Sequence, residues 1–254
     1  MYAYPGVAGV SNKFRRVERA RICDGDHGMT RRGVLGLLTA ALMLGGCSEM
    51  FPHKYRFRMT VEIDTPQGLR RGSSVYQVWA NDTTAVLPEE AKRDWGVKGE
   101  AVAVDLPGGG TLFALLKTVN PMREDLARMS MAALDPAFNN DIVESAGRIA
   151  DGNHIRSPAE VAPSDYPMLV KFDDIADPKS VKRVEPTNLA AAFGPGVRLK
   201  RITVEVTDDN VTTGIAKTLK WLPMHKGSLD YTGRLHPDNS EKDLTPSAFI
   251  KGTK

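Results

Sequence analysis

YRFRMTVEID, residues 55–64, alternates apolar and polar side chains without a break, which is the two-residue period of a strand buried on one face only. Tyr55, Phe57, Met59, Val61 and Ile63 fall on one side, and Arg56, Arg58, Thr60 and Glu62 on the other. The first set predicts a core and the second a solvent face. A carboxylate at Met59 should therefore cost several kcal/mol, whereas Arg58→Asp should stay within about 0.5 kcal/mol of neutral. Thr65-Pro66-Gln67-Gly68 has turn chemistry, and the apolar run 75–80 predicts a second strand folding back on the first.

Working outward, residues 101–106, the loop Pro107-Gly108-Gly109-Gly110 and residues 111–117 predict a second hairpin. The period then changes. Asn120 can cap a helix with Pro121 at its first position and Glu124 and Asp125 near its positive end, while Leu126, Met129 and Ala133 form its apolar side. A second short helix is predicted over 141–150, ending near Gly152. Three prolines within 156–167 mark a loop or an interdomain connection, a division of the chain near 153–167. Residues 168–172 predict a strand and 188–193 a short helix stopped by Gly194-Pro195-Gly196. Residues 198–207 predict another strong strand. Beyond Trp221 the chain is polar, and Phe249 and Ile250 are its predicted docking points. This pattern predicts an α+β fold of antiparallel β-hairpins with a few short helices, with an all-β sandwich as the alternative.

Upstream of these elements lies MTRRGVLGLLTAALMLGGC, residues 29–47. A basic end at Arg31 and Arg32 precedes an apolar run over 34–44 and then the small residues Gly45 and Gly46, the order of an export signal. The 13 residues 34–46 would rise roughly 20 Å as a helix, short of a hydrocarbon core of roughly 30 Å. Leu44-Gly45-Gly46-Cys47 resembles the lipobox of bacterial lipoproteins, with Gly45 where that pattern more often has Ala or Ser. The resemblance implies acylation of Cys47, cleavage before it and anchoring of the mature chain, residues 47–254, by lipid alone. Ser48 resembles an outer-membrane sorting residue in a cell with two membranes. Thr30-Arg31-Arg32-Gly33-Val34-Leu35 also resembles a twin-arginine motif, although paired arginines occur in ordinary basic signal ends too. Residues 1–28 precede this signal and its own Met29, as an over-extended start or an unusually long basic end.

Removing residues 1–46 changes the bulk chemistry. They hold seven basic and three acidic residues, a net of +4 against +3 for the whole chain, so the remainder is about −1. The basic balance of the full chain thus gives no argument for nucleic-acid binding. Cys23 leaves with the signal and Cys47 would carry lipid, so no thiol remains for a disulfide, metal or nucleophile.

Three sets of residues bear on chemistry. Gly108-Gly109-Gly110 lacks the lysine and hydroxyl of a phosphate loop and reads as a hairpin turn. His53, His154, His225 and His236 show no metal-ligand spacing and read as surface or loop residues. Ser73 or Ser74 could join Asp173 or Asp174 and a histidine in a hydrolase triad, but the strand-turn-helix context of a nucleophile elbow is absent. Arg56, Arg58, Arg198, Lys200 and Arg201 would form either a cationic strip for an anionic partner or a charged, solvated sheet face.

YRFRMTVEIDTPQG, residues 55–68, and NLAAAFGPGVRLKRITVEVTDDNVTTGIAKTLKWL, residues 188–222, resemble a group of uncharacterised bacterial proteins of unknown function. That resemblance implies one recurring unit and no activity. The expectation is a membrane-anchored envelope lipoprotein, facing the periplasm, that acts as a binding or assembly component with an envelope protein as partner and needs no cofactor. The alternative is a periplasm-facing enzyme, a hydrolase.

Overall fold

Alternation in the first strand sets the architecture. The computed structural model describes residues 52–82, 93–119, 125–229 and 244–252. Strand β1 (His53–Thr65) pairs along its whole length with β2 (Gly68–Asp82), in the register Phe57 opposite Tyr76 and Glu62 opposite Arg71. The turn between them is closed by Thr65, whose hydroxyl donates to the Gly68 carbonyl at 2.7 Å. On its other edge β1 pairs with β9 (Arg198–Val206), with Met59 opposite Val204 and an irregularity at Glu62/Ile63 where Lys200 is the extra residue. β3 (Arg93–Glu100) extends the sheet beyond β2, while the two-residue strands β6 (Ala159–Glu160) and β10 (Ile250–Lys251) close its edges. The order is β10-β3-β2-β1-β9-β6, antiparallel throughout. Each of these edge strands covers only two residues of its neighbour, Gly99 and Glu100 of β3 and Thr203 and Val204 of β9.

A second sheet has the order β4-β5-β7-β8, from β4 (Val102–Asp105), β5 (Thr111–Thr118), β7 (Pro167–Phe172) and β8 (Val181–Val184). It lies on the inward face of the first sheet near its β1–β2 turn. There Gly72 sits against the backbone of Ala103 and the side chain of Val104, so closely that a Cβ would collide with the Ala103 carbonyl. Glycine is what lets the two sheets approach at this point. Both sheets are open, and the fold is antiparallel and sheet-rich with short helices.

The far end of the same inward face is covered by helices α1 (Leu126–Leu134) and α2 (Ile142–Ala150). Tyr55 on β1 shares a 2.8 Å hydrogen bond with Ser130 of α1. Asp125 caps α1 by accepting from the Arg128 N–H at 3.0 Å, so the helix starts later than Asn120 predicts; Asn120, Pro121 and Glu124 lie outside the described residues. The helix expected over 141–150 forms as α2, with Asp141 as its cap. The joint between these helices is fastened by Asp135, which accepts from Ser145 at 2.7 Å and from Arg148 at 2.7 Å. Burial works against ionisation of Asp135, but these donors outweigh it and hold the carboxyl below its usual range. The proline-rich segment 156–167 runs between the sheets, pairing with β9 through β6 and entering the second sheet at β7.

One continuous apolar cluster joins both sheets and both helices. Phe57, Met59, Val61 and Ile63 are wholly buried in it, and each contributes about 1.5–3 kcal/mol relative to exposure. Phe57 stacks on Tyr76 at 5.1 Å, while Phe113, Phe172, Trp221 and Phe249 form a second aromatic group. Phe249 is therefore anchored, as its position in a polar tail predicts. Two shorter α-helices among the described residues are α3 (Leu189–Phe193) and α4 (Ile215–Thr218). The first backbone N–H of α4 donates at 2.7 Å to the buried carboxylate of Glu100.

Candidate functional site

The outward face of the large sheet carries three rows of polar side chains, which the pairing register assembles from β2, β1 and β9. Nearest the β1–β2 turn, Glu62 lies between Arg71 and Arg201. Each arginine donates through Nε to a different carboxylate oxygen, at 2.7 and 2.8 Å. The next row is hydroxylic, with Thr60 between Ser73 and Thr203. In the third, Arg58 lies between Val75 and Glu205 and donates to Glu205 at 3.2 Å and to Asp209.

Glu62 departs from the expectation for a solvent face. Its side chain is 6% exposed, because Arg71 and Arg201 lie across it from both neighbouring strands. Burial alone would raise its pKa, but the Arg201 and Arg71 donors prevail and hold the carboxyl below the usual range. Two arginines share one carboxylate in this row, leaving one positive charge. Glu205 and Asp209 share one arginine in the third row, leaving one negative charge. The terminal guanidinium nitrogens of Arg71 carry no bond among the described residues, and its side chain is 59% exposed.

The segment 207–214 forms a wall over this face. Thr207 continues the ladder with an N–H to the Arg56 carbonyl at 3.0 Å, and Arg56 donates to the carbonyls of Asp208 and Asp209 at 2.8 Å. The chain then crosses β1 to reach β2, where Thr212 and Val75 exchange two bonds of 2.9 and 3.1 Å. Between wall and sheet lies an open groove of about 510 Å³, lined by Arg58, Thr60, Arg71, Ser73, Glu205 and Asp209 among others.

The other sequence candidates separate. The cationic strip is not free charge: Arg58 and Arg201 pair as above, Arg198 pairs with Asp64 at 3.1 Å, and Arg56 is spent on backbone carbonyls. Lys200 is exposed on the irregularity of β9. Ser73 lines the groove, whereas Ser74 faces inward and is buried. Asp173 belongs to the other sheet's β7–β8 turn, where it pairs with Lys171 and Lys182, and Asp174 initiates the same turn. Among the described residues no histidine lines the groove, and Asp173 and Asp174 lie on the other sheet, so the described members do not assemble a triad. In the β4–β5 turn, the Gly109 N–H donates to the Leu106 carbonyl and the Gly110 carbonyl accepts from Leu106. Gly108 and Gly109 hold φ of 96° and 92°, which fits a turn and not a phosphate cradle.

His53 is exposed beside Gly147 of α2, His154 contacts the Ile155 carbonyl, and His225 packs edge-on to Trp221. His236 lies outside the described residues. Among the described residues no group of three or more His, Cys, Asp or Glu is placed to hold a metal ion. A second depression, near His53, is lined by Asp82, Asp141, Glu144 and Asp151 with Arg148, whose guanidinium is committed to Asp135 and Glu144. Arg31, Arg32, Leu44, Gly45, Gly46 and Cys47 also lie outside the described residues, and no described helix is long and apolar enough to cross a membrane. Sequence reading missed Glu62, Arg71, Glu205 and Asp209 as site residues, because strand pairing and the return of residues 207–214 over the sheet bring them together. No family model matches the chain, and neither does any curated protein or solved structure.

Proposed function

We propose that the chain is an exported lipoprotein, anchored through acyl groups on Cys47 and facing the periplasm, whose folded unit serves as a binding or assembly component of the cell envelope. The observation that carries this reading is the order of residues 29–47: the Arg31/Arg32 basic end, a short apolar run, then Leu44-Gly45-Gly46-Cys47. An outer-membrane location follows from Ser48 if the cell has two membranes, and Arg31-Arg32 is compatible with export by either route. The groove supports binding over catalysis, because its charged groups pair within their rows and, among the described residues, no nucleophile–base pair lies within it. The fold is read as α+β and not as a sandwich, since α1 and α2 cover the part of the inward face that the second sheet leaves open.

The test is the intact mass of the membrane-extracted protein together with fractionation of Cys47→Ser. A mass that includes acyl groups, and loss of the variant from the membrane fraction with its melting temperature unchanged, are the expected results. An unmodified Cys47 in a membrane-retained protein would overturn the reading.

A further inference from the structure

The two charged rows of the groove are opposite in sign and far enough apart to be read by one ligand. Row one, Arg71-Glu62-Arg201, has an excess positive charge, and row three, Glu205-Arg58-Asp209, an excess negative one. Glu62 and Arg58 are four residues apart on one strand, which at about 3.3 Å per residue separates the rows by roughly 13 Å. Between them the floor is hydroxylic, with Thr60 beside Ser73. These side chains both donate and accept hydrogen bonds, so they suit a ligand backbone bearing N–H and C=O groups.

The residues that define the ends are also held ready. Buried Glu62 fixes Arg71 through Nε, while the Arg71 side chain stays 59% exposed and its terminal nitrogens carry no bond among the described residues. Asp209 is 58% exposed at the other end, positioned by Arg58 and by the wall that Thr212 ties to β2. Pairing within each row lowers the cost of keeping these charges in a fixed geometry, and each row still has one charge to offer.

We propose that this groove binds a short extended peptide with both a free ammonium and a free carboxylate, the carboxylate at Arg71 and the ammonium at Glu205 and Asp209. An extended chain of about four residues spans the same roughly 13 Å. The proposal deepens the reading of the domain as a binding component and names its ligand class.

The test is isothermal titration of the full chain, purified in an uncharged detergent, with tetra-alanine, its N-acetylated form and its C-terminal amide. Tetra-alanine should bind saturably, and each blocked form should bind about tenfold or more weakly. In Arg71→Gln the amide should bind as well as the free acid, and Arg71→Lys should restore part of the preference. In Asp209→Asn acetylation should lose its effect. Absence of saturable tetra-alanine binding would overturn the proposal, as would equal binding of all three peptides. Since the titration uses no membrane, its failure overturns the peptide site whatever the state of Cys47. An unmodified Cys47 would overturn the envelope reading alone.

Discussion

The two faces of β1 are built from neighbouring residues of one strand and hold together by different physics. Inward, Phe57, Met59, Val61 and Ile63 are wholly buried among apolar groups from both sheets and both helices. Outward, Arg58, Thr60 and Glu62 sit in rows of charges and hydroxyls, partly roofed by residues 207–214. The inward face gains free energy by excluding water and needs only volume and shape. The outward face gains little from burial and depends on which residue stands opposite which. One strand therefore separates the part of the molecule that stabilises it from the part that can recognise something.

The sharpest way to break this comparison is a charge on the sealed side. Met59→Asp puts a carboxylate at a wholly buried position, opposite Ser74, and should lower stability by about 4–5 kcal/mol in a thermal or denaturant melt. A loss below about 1 kcal/mol would mean that the inward face is wetter than its packing implies.

On the outward face the expectation for Arg58→Asp changes. A solvated arginine could be reversed almost for free, but Arg58 serves Glu205 and Asp209 together, and its side chain is only 33% exposed. The substitution brings three carboxylates together and should cost about 1–2 kcal/mol in the same melt. Recovery in Arg58→Asp combined with Asp209→Asn would locate that cost in charge repulsion. Equal losses in the single and double variants would locate it in packing.

The smallest effect concerns pH. Glu62 is held below its ordinary value of 4.5 in the folded state, so unfolding lets it take up a proton as the pH falls. Its contribution to stability is complete above about pH 4.5 and is lost as the pH drops through that value towards the folded one. Asp135, held below 3.8, acts the same way at slightly lower pH. Melts from pH 6 to pH 3 should show a shallower acid loss for Glu62→Gln than for the unaltered chain. Identical slopes would remove Glu62 from the account of acid sensitivity.

The inward face was legible in the sequence because a half-buried strand imprints its period directly, as residues 55–64 do. The turns at Thr65-Pro66-Gln67-Gly68 and Pro107-Gly108-Gly109-Gly110 were equally legible, since backbone geometry restricts their composition. β3 was not: RDWGVKGE places only Trp95 and Val97 among charges and two glycines, too weak a period to register. The groove was hidden for a different reason. Arg71 and Arg201 are 9 and 139 residues from Glu62, and local pattern says nothing about partners across a sheet. Burial of Glu62 follows from register, whereas Asp209 comes close to Arg58 because the chain turns back over the sheet after Thr207. The stretch TDDN, residues 207–210, reads as a turn, but nothing in it announces that it crosses back over the sheet.

The central claim, that β1 divides a stabilising face from a recognising one, is tested most directly by measuring melting temperature and tetra-alanine affinity on the same two variants, Met59→Ala and Arg71→Gln. A crossed result is expected. Met59→Ala should lose about 2–5 kcal/mol of stability and, under conditions where it remains folded, keep its affinity. Arg71→Gln should stay within about 1 kcal/mol of the unaltered chain and lose affinity about tenfold. An Arg71→Gln protein that melts as early as Met59→Ala while still binding tetra-alanine normally would contradict it, and would make the outward face a second structural layer.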